Sequence, residues 1–356
     1  MSNKVEKSID NKCPACSAPI KFKPSENKWV CEYCKSSFTL DEMKKRSNNA
    51  SSKEKHSDED TYDEYMSYRC KDCGAEIIAD KDTTATFCVY CGNTAILKSK
   101  LSGKFKPDLI IPFKVEKTKV NEEFAKLLKG RPLMPRDFCS QENIEKIKGV
   151  YIPFWLYDFD YSGDVHMSGK KVSHWSVGDT HYTKTSIFNV VRGGNVFFEK
   201  IPVDGSTKFD NAVMNTIEPF DYKDMVEYNH AYLSGFYAEK YDQDSNDTME
   251  EAKSRALNTC KAAFYNDVKG YNSLTVLSDD LKIDKSSIKY PLFPVWMVNV
   301  KYKDKLYLFA MNGQTGEFIG DIPIDRKRVL VYSIIIFIII LIITFIVSYL
   351  IYKGGN

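Results

Sequence analysis

Eight of the ten cysteines in this chain occur in two copies of one spacing. In each copy, a Cys-x-x-Cys pair is followed, after fourteen residues, by another Cys-x-x-Cys pair. Such a pair on a tight turn presents two thiolates to one ion, and two pairs can close a tetrahedral four-sulfur Zn²⁺ site. A disulfide or redox function would have to account for the same spacing twice, so we favour metal binding. The predicted ligands are Cys13, Cys16, Cys31 and Cys34 for one zinc ion and Cys70, Cys73, Cys88 and Cys91 for a second.

This pattern predicts two N-terminal β zinc ribbons, over residues 11–40 and 69–98. Four thiolates leave no open coordination position, so each ion is expected to stabilise its ribbon and not to catalyse a reaction. Residues 41–68 are rich in charged side chains, Ser and Asn. They predict a flexible charged linker that lets the ribbons move independently, with a docking segment as the alternative. Thiolate sites stay metal-loaded in a reducing compartment, which favours the cytosol for most of the chain.

The C-terminal end predicts a transmembrane helix. Residues 329–352 are a run of 24 residues without a charged side chain. An α-helix of that length spans about 36 Å and can cross a hydrocarbon core of about 30 Å. Arg326, Lys327 and Arg328 precede the run, whereas only Lys353 follows it. Because positive charge concentrates on the cytoplasmic side, we predict a single-pass cell-membrane protein with a cytoplasmic body.

The predicted body, residues 104–325, is α+β with a mostly antiparallel sheet. Thr118 is expected to cap a helix that Gly130 ends, and residues 140–149 are expected to form a second, short helix. A capping box at Thr248 and Glu251 predicts a long helix that reaches about residue 269.

The strands of this body carry a weak internal echo. Residues 150–161 predict one strand, and residues 162–203 predict several short strands with a turn at 192–195. The prolines of the echo are expected near strand starts, at an edge of the sheet. The echo indicates either two related units or two unrelated core tryptophans. It consists of Pro153, Trp155 and Tyr161 against Pro294, Trp296 and Tyr302.

The search for a catalytic site finds no motif that would support one. The chain contains no G-x-G-x-x-G, H-E-x-x-H or G-x-S-x-G sequence. Gly169-Lys170 lacks the other residues of a phosphate-binding loop and is predicted to lie in a turn. We therefore predict no catalytic residue, no organic cofactor and no enzymatic activity, with an unrecognised enzyme in the body of residues 104–325 as a further hypothesis.

A few histidines and cysteines remain outside the ribbons. His166, His174 and His181 fall in the β-rich stretch, where ordinary surface histidines are favoured over a metal cluster. Cys139 and Cys260 have no visible base partner, so inert thiols are favoured over nucleophiles.

The charge balance argues against nucleic acid as the main partner. The formal net charge is +2, and two four-thiolate zinc sites would bring it to about −2. Residues 1–46 carry ten Lys or Arg against six Asp or Glu, whereas residues 69–97 are acidic. Phe22 and Trp29 could stack on bases or pack inside the ribbon. Nucleic-acid binding by the first ribbon is therefore the alternative to protein docking, which we favour.

Several stretches together resemble a known family. They are the tandem ribbons, Ile111-Pro-Phe113, the stretch 149–155 (GVYIPFW), the stretch 311–316 (MNGQTG) and the C-terminal anchor. These features resemble a bacterial, mainly Gram-positive family of TFIIB-type zinc-ribbon membrane proteins, often mislabelled as primosomal or replication-restart helicases. The helicase label finds no support here because the chain has no Walker A loop.

The resemblance implies a membrane-side recruiter of cytoplasmic and membrane proteins under envelope stress, with phage-shock-protein-A-type proteins among the candidate partners. It carries over no catalytic residues, only the eight cysteines. We therefore expect a membrane-anchored scaffold or adaptor on the cytoplasmic face that contacts soluble proteins and the lipid bilayer.

Overall fold

The computed structural model describes most of the chain and has the predicted α+β class. It is mostly sheet, with cysteine clusters near the N-terminus and one long apolar helix at the C-terminus. The predicted short helix at 140–149 and Cys139 lie largely or wholly outside the described residues. The described residues are 12–43, 65–71, 73–80, 88–90, 96–99, 107–138, 147–208, 214, 216–303 and 305–354.

Three helices and sixteen strands are used below for the described part of the chain. The helices are α1 (Lys117–Leu128), α2 (Ser245–Asp267) and α3 (Arg326–Gly354). The strands are β1 (Ile20–Lys23), β2 (Lys28–Cys31), β3 (Ser37–Phe38), β4 (Tyr65–Cys70), β5 (Glu76–Asp80), β6 (Ile96–Ser99), β7 (Leu109–Ile110), β8 (Lys148–Val177), β9 (Thr180–Asp204), β10 (Val226–Glu227), β11 (Tyr237–Glu239), β12 (Ser273–Asp279), β13 (Lys282–Lys289), β14 (Pro291–Tyr302), β15 (Lys305–Asn312) and β16 (Phe318–Gly320).

Ribbon 1, the small sheet β1–β2–β3 with its cysteines, packs against the body. The indole of Trp29 is fully buried, and its Nε1 donates a hydrogen bond to the carbonyl of Ala231 at 2.7 Å. The backbone N–H of Phe22 donates to the carbonyl of Ser234 at 3.2 Å. The expected independent motion of this ribbon is therefore wrong for the described residues, because its apolar face is part of the body's core.

Ribbon 2 belongs to the main sheet. Its strands β4, β5 and β6 pair with one another, and β5 pairs antiparallel with β11 of the body. The expected free motion is therefore wrong here too. The predicted linker over 41–68 overlaps β4, which begins at Tyr65. Alternate side chains of β8 show that the two cysteine groups lie on opposite faces of the sheet: Tyr151 joins the core that contains the ribbon 1 cysteines, whereas Val150 and Ile152 join the core that contains those of ribbon 2.

The two strands that carry the Pro-x-Trp echo lie side by side at the centre of the main sheet. The sheet order is β10-β7-β14-β8-β11-β5-β4-β6 in the described residues. β8 and β14 pair antiparallel, with Tyr151 opposite Pro294 and Pro153 opposite Leu292. These two pairs are equivalent under an approximate two-fold axis between the strands.

Each central strand begins a hairpin, and the second strand of each hairpin ends with the same hydrogen-bonding pattern. The residue after each echo proline pairs with Asp204 in one unit and with Asn312 in the other. The next residue, Gly205 or Gly313, donates its N–H to the carbonyl of that proline at 2.9 Å in both units. The echo therefore extends beyond the tryptophans to the whole hairpin.

A strand and a helix complete each unit. β7 runs parallel to β14, and β11 runs parallel to β8. The Nε1 of Trp296 donates to the carbonyl of Val115, and the Nε1 of Trp155 donates to that of Gln243, both at 2.9 Å. Helices α1 and α2 each begin two residues after that carbonyl. The body is thus two interleaved β-α-β-β units, which supports the interpretation of two related units.

The echo prolines lie in central strands and not at the expected edge. On one side of β8, the partner changes from β11 to β9 around Pro153. On one side of β14, it changes from β7 to β15 around Pro294. A missing N–H is tolerated there because neither neighbouring strand needs it.

Residues 162–203 form one long hairpin and not several short strands. β8 and β9 pair from Phe154–Asp204 to Val177–Thr180, around a turn at residues 178–179. The predicted turn at 192–195 lies inside β9, where Gly193 faces Asp164. A Cβ at residue 193 would meet the Asp164 carboxylate, so the glycines serve a tight pairing. We call residues 165–191 of this hairpin the arm.

Both helices begin at other caps than the sequence predicts. α1 begins after Glu116, which makes no side-chain cap, and not after Thr118. The capping box of α2 is Asp244 with Asp247, because Asp244 accepts from the N–H groups at the true first turn. Thr248 instead lies inside the helix. Ala252, Ala256 and Cys260 are buried along one side of α2.

Candidate metal centres

The four cysteines of ribbon 1 converge on one point. Their Sγ atoms all lie within 4.8 Å of one another. The Sγ atoms of Cys13 and Cys34 are 3.5 Å apart, and those of Cys16 and Cys31 are 3.6 Å apart. Cys13 and Cys31 are buried, whereas Cys16 and Cys34 face solvent. The group can hold a metal ion near the protein surface.

The described Cys-x-x-Cys turns share one backbone geometry. The residue after the second cysteine has a positive φ, at 59° for Ser17, 61° for Lys35 and 71° for Gly74. Its N–H donates to the carbonyl of the first cysteine of the pair, at 2.8, 2.9 and 3.1 Å respectively. This tight turn brings both thiols of a pair to one side. The same turn in both ribbons supports a duplicated structural unit.

Local hydrogen bonds reach three of the four ribbon 1 thiols. The N–H of Ala15 donates to the Sγ of Cys13, and the N–H of Cys34 donates to the Sγ of Cys31, both at 3.4 Å. Hydrogen bonding to Ser36 lowers the pKa of the Cys34 thiol to about 6. Thiolates are the metal-binding form of cysteine, so these contacts favour a bound cation.

Ribbon 2 brings together three of its predicted ligands. The Sγ atoms of Cys70, Cys73 and Cys88 lie within 4.8 Å of one another. Cys73 and Cys88 are 3.6 Å apart at Sγ, and Cys70 and Cys88 are buried. The fourth predicted ligand, Cys91, lies outside the described residues. This second group can also hold a metal ion, in a more enclosed setting than the first.

The second turn of ribbon 2 is hydrogen-bonded to the body. The Tyr90 hydroxyl donates to Oε2 of Glu239 at 2.6 Å, and the Ser206 hydroxyl donates to its Oε1 at 2.8 Å. The side-chain amide of Asn299 donates to the carbonyl of Val89 at 2.6 Å. These contacts position Cys88 from strands far away in the sequence.

Two buried carboxyl groups and a half-buried one have no counterpart in the sequence predictions. Desolvation raises the pKa of Asp204 to about 6, of Glu218 to about 7 and of Glu239 to about 8. No local pattern marks these residues, because their burial depends on strands and loops distant in sequence.

The remaining candidates do not form a second kind of site within the described residues. His166, His174 and His181 join no metal-holding group there. The Nδ1 of His174 instead pairs with the Thr183 hydroxyl at 3.0 Å. Gly169-Lys170 lies inside β8 and not in the predicted turn.

Three side chains of ribbon 1 that could have contacted nucleic acid, Phe22, Trp29 and Lys21, are already engaged within the protein. Phe22 and Trp29 are 4 % and 0 % exposed, and their rings pack against Tyr232. Lys21 forms an ion pair with Glu32, at 2.8 Å. The side chains that could have stacked on bases therefore belong to the core. By contrast, Tyr33 in the second Cys-x-x-Cys turn is 84 % exposed.

One helix of the described chain, α3, is long and apolar enough to cross a membrane. The stretch that meets this test is Arg326–Tyr349, 24 residues that the rest of the protein leaves unburied. Length and composition agree with the predicted anchor.

Comparison with known proteins gives one relationship of high coverage. The chain is 34 % identical over 313 residues to the uncharacterized protein YdjG of Bacillus subtilis (strain 168). The match covers 74 % of this chain and 92 % of YdjG. No family model matches the chain, and no solved structure matches it. The wider resemblance to TFIIB-type zinc-ribbon membrane proteins stays a prediction. Identity over nearly the whole length of YdjG shows that this chain belongs to the YdjG family.

Proposed function

We propose that this protein is a membrane-anchored zinc-ribbon scaffold that recruits soluble proteins to the cytoplasmic face of the cell membrane. The observation that carries the proposal is the exposed turn of ribbon 1. Tyr33 stands almost fully exposed on it, next to a cysteine group that the core holds in place. A rigid, exposed aromatic side chain is a typical anchor of protein–protein contacts.

Zinc is the metal we assign to both cysteine groups. Zinc–sulfur bonds of about 2.3 Å in a tetrahedron place the sulfurs about 3.8 Å apart. The sulfur separations of 3.5 and 3.6 Å are close to that value. Four soft thiolates in tetrahedral arrangement select zinc over hard cations. The ions would stabilise the ribbons and leave no position for a substrate.

Anchoring by α3 would make weak contacts sufficient. Confinement at the membrane raises the effective concentration of partners that gather there. The excess of basic residues before α3, Arg326 to Arg328 against Lys353, favours a cytoplasmic body. A function under envelope stress, with phage-shock-protein-A-type partners, rests on the family resemblance alone.

The burial of Phe22 and Trp29 favours protein docking over nucleic-acid binding by ribbon 1. Bases stack on exposed aromatic rings, and a strand of phosphates requires unpaired cations. The rings of Phe22 and Trp29 are buried, and Lys21 is paired with Glu32, so none of the three is available for such contacts.

The test is a pull-down of the tagged full-length protein from detergent-solubilised, nuclease-treated membranes. Tyr33→Ser should lose stoichiometric protein partners that the wild type retains. Tyr182→Ser, which removes an exposed tyrosine of the arm (44 % exposed), is the matched control and should retain them. Loss of partners with Tyr182→Ser but not with Tyr33→Ser would contradict docking on ribbon 1.

A further inference from the structure

The membrane helix α3 is held to the body by hydrogen bonds to a loop, residues 129–136, as well as by its covalent connection. The N–H of Asp325 donates to the carbonyl of Leu133 at 2.8 Å. The guanidinium of Arg328 donates to the carbonyls of Pro132 and Met134, at 3.2 and 2.8 Å. These contacts hold the loop at the level of the first turn of α3.

Asp325 also caps α3 and so fixes where the helix begins. Its Oδ1 accepts from the N–H of Lys327 at 2.9 Å, and its carbonyl accepts from that of Val329 at 3.0 Å. The charge-free run of α3 begins at Val329. The loop around Leu133 is therefore next to the place where the helix would enter the bilayer.

A second segment is packed beside this loop. The Tyr302 hydroxyl donates to Asp137 at 3.2 Å, and the Phe138 ring packs edge-on against Tyr302 at 5.5 Å. Lys303 follows at the tip of the β14–β15 turn, with a φ of 47°, and is exposed. The turn thus adds its cations to those of the loop.

These segments together form a strongly basic surface around the start of α3, which we call the basic collar. Arg131 and Arg136 are exposed on the loop. The acidic residues of the same segments are fewer: Asp137, Asp304 and Asp325. The collar consists of Lys129, Arg131, Arg136, Lys303, Lys305, Arg326, Lys327 and Arg328.

We propose that the basic collar binds the anionic phospholipid headgroups that surround α3. Anionic leaflets attract basic segments within a Debye length of the surface, and each added cation strengthens that attraction. Hydrogen bonds from Asp325 and Arg328 hold the loop around Leu133 at the helix start, and the Tyr302 hydroxyl holds the neighbouring turn beside that loop. The inference rests on the membrane anchorage proposed above and not on partner recruitment.

The experiment uses the full-length protein in lipid nanodiscs and hydrogen–deuterium exchange. One set of discs contains phosphatidylcholine alone, and the other adds about a third phosphatidylglycerol. Backbone amides of residues 129–136 and 302–305 should exchange about threefold more slowly, or slower still, with phosphatidylglycerol. High salt should abolish the difference.

A matched pair of triple variants locates the effect. Arg131→Gln with Arg136→Gln and Lys303→Gln should remove the lipid dependence. A control variant with three exposed lysines changed elsewhere on the protein should retain the lipid dependence. The control changes are Lys269→Gln, Lys282→Gln and Lys289→Gln.

Equal exchange in both kinds of disc would overturn the inference, even if the pull-down found partners. Protection of the same amides by inorganic phosphate in phosphatidylcholine discs would also overturn it, because the site would then bind a free anion and not a lipid surface. Failure of the protein to enter discs would instead contradict the anchorage.

Discussion

The two cysteine groups differ in their access to solvent. Cys13 and Cys31 of ribbon 1 are buried, as are their counterparts Cys70 and Cys88 of ribbon 2, but Cys16 is exposed whereas its counterpart Cys73 is only half-exposed. A competing chelator must approach the sulfurs, so burial should slow metal loss. The two ions are therefore distinguishable by rate.

We expect about two zinc ions per chain, released to a chromophoric chelator in a fast and a slow phase. Cys13→Ser should remove the fast phase and Cys88→Ser the slow one, and each variant should hold about one ion. Metal analysis of the purified proteins checks the stoichiometry. A wild-type content near one ion would contradict the duplication.

Asp204 offers a prediction about pH. Burial raises its pKa from 3.8 to about 6, so the folded state binds a proton more tightly than the unfolded state. Its contribution to stability is fully present below about pH 3.8 and is lost as the pH rises through about 6. The equivalent residue of the other unit is Asn312, whose amide donates to the carbonyl of Ile217 at 2.9 Å.

Asp204→Asn should therefore raise the free energy of unfolding at pH 8, by on the order of 1 kcal/mol. The gain should shrink by pH 5, where more of the wild-type carboxyl group is protonated. Denaturant melts at the two pH values measure this difference in the free energy of unfolding. Asp179→Asn, at an exposed position, is the control. A variant that is less stable than the wild type at pH 8 would refute the argument.

At the residue scale, the sequence could predict which cysteines converge but not their surroundings. The spacing placed all four ribbon 1 cysteines and three of ribbon 2, because a Cys-x-x-Cys turn is local. The Tyr90–Glu239 contact joins residues 149 positions apart. No local pattern signals such a pair, since it arises only when β5 meets β11.

Among the elements, the arm is the most separable. In the described chain, residues 171–186 include no buried side chain. β12 accompanies β8 only as far as the pair Ser273–Lys170. Beyond that pair the arm consists of β8 and β9 alone.

Shortening the arm should leave the body folded. The Gly178-Asp179 turn can be moved between Lys171 and Ser186, which pair in the same phase as Val177 and Thr180. The melting temperature should fall by no more than about 2 °C, because no core cluster is touched. Thermal denaturation measures this, and a loss of cooperative melting would show that the arm supports the body.

Predictions of elements succeeded where periodicity was strong. The long helix predicted to reach about residue 269 is α2, which ends at Asp267, and the strand predicted over 150–161 lies within β8. The predicted capping box of α2 was wrong because Thr248 could form such a box with Glu251 as readily as Asp244 could with Asp247. Residue propensity alone does not distinguish the two. The prediction of several short strands over 162–203 was wrong because Gly193 and Gly194, which are typical of a turn, lie here inside a strand.

At the scale of the whole molecule, ribbon 1 and the body should unfold together. Trp29→Ala removes a fully buried indole at their junction and should lower the stability of the whole body by about 3–5 kcal/mol. Trp175→Ala, at a half-exposed position of the arm, should change it by less than about 0.5 kcal/mol. Denaturant melts compare the two variants. An unchanged body with Trp29→Ala would restore the independent ribbon that the sequence predicts.

The interleaving of the two β-α-β-β units has a consequence for how the chain can be divided. β8, from the first unit in sequence, has its neighbours β11 and β14 from the second, and β7 lies against β14. A cut between residues 208 and 216 would separate the central strands onto two fragments. Neither fragment could form the central sheet by itself, yet the two should reassemble when mixed. The protein can thus be split into a complementing pair whose association reports that the body has folded.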